Sequence, residues 1–400
     1  MKRKPKDPYD FSEKSVKVRN SYYTFSKEYP AGNIEINHKR KNNKARRKNW
    51  IKIILLIVCF IAVMALSFFF VDLGLKYSNK EIAKAEPAAE TEETLSLLSK
   101  GGVKGMYMPY EKLSDKKYIK SFIKEIRKKD CNSVVIDFKS DDGRIVYSSL
   151  SQFALLGKCA VFDNETVRAA IDLFNSSSVQ VIARVFCFED PLIASLEPSL
   201  AVKYLNTDVQ WLDKLEEDGG KPWLNPYSSK AKNYIKELIS EIYKFGVGGI
   251  ILESVCFPEG ENIESAVFTG EENGAPRNEM LKNFIASIRN SVKPDCFIVL
   301  GAAAQDIISV NELKYSGSIA AGASDGICAD TAIRDPQFVC DRKDGYSSIL
   351  SMYSAIKAKT GEETPLILKI NIDEFSGKYI RALRRSGYEN YILYSESGKY

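Results

Sequence analysis

Ser133-Val-Val-Ile-Asp-Phe-Lys139 is a short apolar run standing directly behind the amphipathic helical pattern of Asp115–Lys129. Short apolar-rich runs bounded by polar residues read as strands, and longer amphipathic ones as helices. The pair recurs along the chain. Further candidate strands are Val103–Met108, Gln180–Phe186, Gly249–Glu253, Cys296–Leu300, Gly326–Ala329, Leu366–Ile370 and Tyr391–Tyr394. Helical patterns lie at Asn164–Asn175, Pro191–Lys203, Ser228–Phe245, Arg277–Val292, Tyr346–Lys359 and Glu374–Ser386, with a weaker one near Ser309–Tyr315. Strand followed by helix, repeated through residues 101–400, predicts an α/β fold with a parallel sheet. Eight strands predict a (β/α)8 TIM-type barrel. A doubly wound open sheet is the second reading. No Gly-rich phosphate loop follows the first strand, so no dinucleotide cofactor is expected.

Barrel enzymes build their sites at the C-terminal ends of the strands. Alternation along a strand puts Val135, Asp137 and Lys139 on one face, with Val134, Ile136 and Phe138 on the other. In the next two strands Arg184 shares a face with Ile182 and Phe186, and Glu253 with Gly249 and Ile251. Asp137, Lys139, Arg184 and Glu253 are therefore expected to converge at the barrel mouth. A carboxylate pair with basic partners suits acid–base work on a glycosidic bond. The alternative is a buried Asp137–Arg184 ion pair that fills the barrel, with Glu253 solvated at the rim. Other strand-end acids, Asp141, Glu189 and Asp190 among them, read mostly as caps or loop charges. Asp190 before Pro191 has the N-cap arrangement. Trp223 and Tyr227, in a polar loop with two prolines, are the best candidates for stacking on sugar rings, against core or hinge packing. The acidic, Gly-containing segment Pro258–Pro276 reads equally as a rim or lid and as a plain insertion.

The chain is divided near its start. Ile53–Val71 holds nineteen residues without one charge, enough to cross roughly 28 Å of hydrocarbon as a helix. Lys39, Arg40, Lys41, Lys44, Arg46, Arg47, Lys48 and Lys52 precede it, which predicts a cytoplasmic N-terminus and an outer C-terminal domain at the cell membrane. The run is too long for a signal-peptide core and no small-residue cleavage site follows, so a permanent anchor is expected. The predicted organisation is a basic, disordered tail over 1–52, the span over 53–71, a stalk over 72–100 and the barrel over 101–400. The net charge of +5 hides two opposite parts. The tail carries 16 Lys/Arg against 5 Asp/Glu, and the rest 41 against 47. The basic excess therefore belongs to topology and anionic lipid rather than to nucleic acid.

Histidine is the sharpest exclusion. The chain has one, His38, in the tail, so the outer domain holds no Ser-His-Asp or Cys-His pair and no His-bearing metal site. Acid–base chemistry there falls to Asp, Glu, Tyr, Lys or Cys. The seven cysteines beyond the span lack CxxC or zinc-ligand spacing and read as small buried hydrophobes rather than a disulfide framework. No metal or cofactor is expected.

Three segments carry a family resemblance: Val134-Val-Ile-Asp-Phe-Lys-Ser-Asp-Asp-Gly143, Ile182-Ala-Arg-Val-Phe-Cys-Phe-Glu-Asp-Pro191 and Trp223-Leu-Asn-Pro-Tyr-Ser228. In this order they resemble the glycoside-hydrolase-like barrel family of bacterial cell-envelope proteins, over about residues 101–400. The resemblance implies a (β/α)8 barrel that acts on or binds an extracellular or cell-wall glycan. If the barrel hydrolyses glycan, Glu253 is the expected acid/base with Asp137 or a loop acid as its partner, and Lys139, Asp141, Arg184, Trp223 and Tyr227 are expected around the substrate. This chain departs from the family pattern at three strand ends. The fourth strand, which usually ends Asp-Tyr-Val-Arg-Phe-Pro, reads Glu253-Ser-Val-Cys-Phe-Pro258. The fifth has Leu300-Gly-Ala-Ala where an Asp is usual, and Cys328-Ala-Asp-Thr-Ala-Ile-Arg334 replaces the Pro-Met-x-Tyr-Pro-Ser-His-Tyr run after the sixth. Two functions stay open: a membrane-anchored glycoside hydrolase, and a non-catalytic barrel that binds glycan or a protein partner at the envelope.

Overall fold

A computed structural model describes Leu98 and residues 102–309, 311–319, 321–332, 345–373, 384–385, 387–388 and 390–395. The span predicted at 53–71, the basic tail and nearly all of the stalk lie outside the described residues, as does most of the helix expected at Glu374–Ser386. Among the described residues no helix is long and apolar enough to cross a membrane.

Eight strands close a barrel: β1 (Lys104–Tyr107), β2 (Ser133–Lys139), β3 (Gln180–Phe186), β4 (Gly249–Glu253), β5 (Phe297–Ala303), β6 (Gly326–Asp330), β7 (Leu366–Asn371) and β8 (Tyr391–Tyr394). Each pairs in parallel with the next, and β8 returns to β1. The open-sheet reading is thereby replaced by closure, and all eight expected strands are present.

Between the strands lie α1 (Lys116–Lys128), α2 (Gln152–Gly157), α3 (Asn164–Asn175), α4 (Pro191–Leu196), α5 (Ser229–Tyr243), α6 (Arg277–Arg289), α7 (Ala304–Ser309), α8 (Glu312–Tyr315) and α9 (Gly345–Thr360). In α1, Asp115 caps the first turn by accepting from the amides of Lys117 and Tyr118. Ile119, Phe122, Ile123 and Ile126 recur at helical spacing and are buried against the barrel. Full burial of each contributes about 1.5–3 kcal/mol. Two expected helices come out differently. Pro191–Lys203 stops at Leu196, because Pro198 cannot continue the helix and a 3-10 turn follows. Ser309–Tyr315 is split into α7 and α8, with Asn311 capping the second. Helix α2 had no counterpart in the sequence reading; it is a short piece of six residues.

The barrel interior is filled by Val135, Ile182, Ile251, Val299, Cys328, Ile367 and Ile392, one inward side chain from each of β2 to β8. Phe297 completes this layer against Gly249, where any Cβ would overlap its ring. Val134, Ile136 and Phe138 face outward into the helix layer, as alternation predicted. Cys131, Cys159, Cys187, Cys256, Cys296 and Cys328 are free and buried. The segment after β4 is not a plain insertion. Its Ala266–Val267 pairs with Lys203–Tyr204 in a small antiparallel ribbon, and Phe268 is buried beneath it.

Candidate active site in the barrel mouth

Alternation brings Asp137 and Arg184 inward as register partners on β2 and β3. The Arg184 guanidinium grips Asp137 through Nε and Nη2, the latter at 2.9 Å. The Tyr107 hydroxyl, on β1, donates to the same carboxylate at 2.7 Å. Burial and the Asp137 charge push the Tyr107 phenol well up, so it serves as a donor only. Burial works against the Arg184 charge, but Asp137 more than offsets it and the pKa is raised. The guanidinium is flanked by the rings of Tyr107 and Phe186, each 5.1 Å away. Its Nη1 lies 3.9 Å from Oε1 of Glu253, at the end of β4.

Lys139 does not join this group. The β2–β3 register shifts between Asp137 and Lys139, so Lys139 pairs with the outward-facing Val185. A bulge places two successive residues on one side, and Lys139 follows Phe138 into the helix layer. There its ammonium, fully buried, meets Asp190 at 3.0 Å and the Phe186 carbonyl at 2.9 Å. Asp190 also caps α4 through the Ile193 amide and accepts from the Tyr234 hydroxyl. The expectation that Lys139 shares a face with Asp137 fails for this reason.

A cavity of about 500 Å³ opens at the C-terminal ends of the strands. Arg184, Glu253, Asp141 and Trp223 line it, together with Glu189, Asp330 and Lys369. Asp137 is behind Arg184 and does not line it. Trp223 presents little of its ring, being 9% exposed with its Nε1 directed at Asp213 (3.3 Å). Tyr227 lies elsewhere, in a second cavity on the barrel flank.

Glu189 was read in sequence as a cap or loop charge. It follows β3 and is drawn into the cavity by Ser254, whose hydroxyl donates to Oε2 at 2.7 Å. Burial raises the Glu189 pKa above its ordinary value; the Ser254 hydrogen bond opposes this, and Asp141 adds to it. Ser254 itself has φ +52°, a left-handed conformation uncommon outside glycine and often found at functional sites. Nothing local marks Glu189 in the sequence; its place in the cavity beside Ser254 arises from loop packing.

On β5 the inward positions at the mouth are Gly301 and Ala303, so no carboxylate arises from this strand. The space at Gly301 is taken by Glu253, whose carboxylate would overlap a Cβ built there. Asp330 on β6 and Lys369 on β7 form a second ion pair at 2.9 Å. Lys314 is held by Asp306 at 2.7 Å and Glu259 at 3.1 Å beside Cys256, and those carboxylates raise its pKa despite burial. Among the described residues no cluster of three or more His, Cys, Asp or Glu could hold a metal ion.

Residues 105–308 match a family described as "Putative glycosyl hydrolase domain". The match runs from β1 through α7, and the last three strands lie beyond it. No curated protein matches the chain significantly. Among solved structures, a hypothetical protein from Ruminiclostridium thermocellum is similar at 23% identity, covering 49% of this chain and 96% of its own, with a TM-score of 0.43. A chitobiase from Flavobacterium johnsoniae is similar at 10% identity, covering 74% and 44%, with a TM-score of 0.43. An alpha-amylase from Lactobacillus plantarum is similar at 11% identity, covering 75% and 72%, with a TM-score of 0.47. The chain thus spans less than half of the chitobiase's length.

Proposed function

This chain belongs to the glycosyl-hydrolase family just described, and on that premise we propose that its barrel cleaves a glycosidic bond in the mouth cavity. The observation that carries the reading is a pair of carboxyl groups in unlike surroundings within one cavity: Glu189, whose pKa burial raises, and Glu253, set beside the Arg184 guanidinium. Unlike environments are how two carboxyl groups come to divide acid and base roles. Glu189 gives its proton to the glycosidic oxygen as the C–O bond breaks. Glu253, oriented by Arg184, supports the positive charge at the anomeric carbon. Water adds there, and the proton it releases restores the carboxyl groups. Asp137 acts as a positioning residue, through Arg184.

A second reading, a barrel that holds glycan without cutting it, is favoured by Gly301 and Ala303 on β5, where the family pattern carries an Asp. The test is full-length protein in detergent, incubated with a panel of envelope and other extracellular glycans. New reducing ends and retention on each polymer are measured together. Hydrolysis that falls about 100-fold or more in Glu189→Gln and Glu253→Gln, with retention kept, supports the enzyme. Retention without hydrolysis replaces it by the binding module. Neither, across the panel, overturns both.

We also propose that Ile53–Val71 anchors the barrel outside the cell membrane, directing it to envelope glycan. The support is the uncharged length of that run and the basic residues before it. Single cysteine labels beyond residue 72 should react with a membrane-impermeant reagent on intact cells; protection there rejects this topology.

A further inference from the structure

The second cavity, about 420 Å³, lies on the barrel flank between α5 and α6 and beside the Gly270–Gly274 turn. Its polar wall is one-sided. Lys232 and Lys236, one turn apart on α5, line it with Asn233 and with Asn283 of α6, and no Asp or Glu lines it. Among the described residues neither lysine has a carboxylate within ion-pair distance. Glu271, whose charge acts on Tyr227, is committed to Arg277 through two contacts of 2.5 and 3.1 Å. One wall of the cavity is fixed in place. The Tyr227 hydroxyl donates to the Ala275 carbonyl at 2.8 Å, and Gly274 lies so close to the Tyr227 ring that a Cβ would overlap it. Burial without a counter-charge lowers the Lys232 pKa.

We propose that this flank cavity binds the oxyanion group, phosphate or carboxylate, of an anionic saccharide. Two ammonium groups not paired with a carboxylate supply the charge, and the Asn233 and Asn283 amides supply directional donors. An anion there would relieve the cost of holding Lys232 partly out of water with no partner. Tyr227 offers an aromatic wall for an attached sugar ring, a role the sequence assigned to it at the mouth.

The test uses full-length protein in detergent, titrated calorimetrically with inorganic phosphate, glucose 6-phosphate, glucuronate and glucose. Both anionic sugars should bind at least tenfold more tightly than glucose, and added salt should weaken them. Phosphate alone should compete with glucose 6-phosphate. Lys232→Met and Lys236→Met should each lower anion affinity about tenfold without moving the thermal midpoint, and Lys221→Met, outside the cavity, should change nothing. Equal binding of glucose and glucose 6-phosphate, no binding at all, or full affinity in the double Lys→Met variant overturns the proposal. Hydrolysis at the mouth is a separate readout, so its loss or absence does not bear on this outcome.

Discussion

Arg184 and Asp137 are register partners on adjacent strands, and their side chains close a two-point ion pair inside the barrel rather than at its open rim. Tyr107 completes the Asp137 shell, and Glu253 sits on the far side of the guanidinium. The pair therefore links the barrel wall to the cavity. Removing Asp137 leaves a buried cation without its partner, the costly way to break such a pair. Asp137→Asn should lower unfolding free energy by about 3 kcal/mol in urea titrations. It should also weaken hydrolysis, because Arg184 no longer holds Glu253.

Lys139 and Asp190 form a separate buried pair in the helix layer. Lys139→Ala strands a carboxylate that also caps α4, and should cost about 3–5 kcal/mol. Lys139→Met with Asp190→Asn should recover part of that loss, since both charges are gone and the volume is kept. A double-mutant cycle by chemical denaturation reads the coupling. A Lys139→Met variant that is stable but fails to bind glycan would contradict the structural role given to it here.

Glu189 predicts a pH signature. Its pKa is raised in the folded protein from a reference of 4.5, so the folded state holds this proton where the unfolded chain has released it. The resulting stabilisation is complete below the reference value and is lost as pH rises through the raised one. Glu189→Gln should flatten the pH dependence of stability in that window. Hydrolysis should fall along the same alkaline limb as the acid loses its proton. Ser254→Ala removes a hydrogen bond that favours the carboxylate, so the limb should move to higher pH.

Gly301 is where Glu253 finds its room. Gly301→Ala should displace that carboxylate and reduce hydrolysis at least tenfold, with a stability loss of about 1–3 kcal/mol from overpacking. Gly322→Ala, at a position with open space around it, is the control and should leave both unchanged.

Much of the architecture was legible before any tertiary structure. The eight strands and most helices were readable because alternation and helical period are local, carried by residues such as Val134, Ile136 and Phe138 whose partners need not be known. Asp137 and Arg184 could be paired because each keeps the alternation of its own strand. Asp190 could be assigned as a cap because Pro191 follows it directly.

What the sequence by itself determined, then, is the repeat, the inward positions of Asp137, Arg184 and Glu253, and the absence of histidine from residues 39–400. Only the tertiary structure decided which polar groups share the cavity. The bulge after Asp137 turned Lys139 outward, a register shift that no single strand encodes. Loop packing brought Glu189 against Ser254 in the cavity and carried Tyr227 to the flank. The difference is physical: periodicity lives within one element, whereas register, burial and loop packing arise only when distant segments meet.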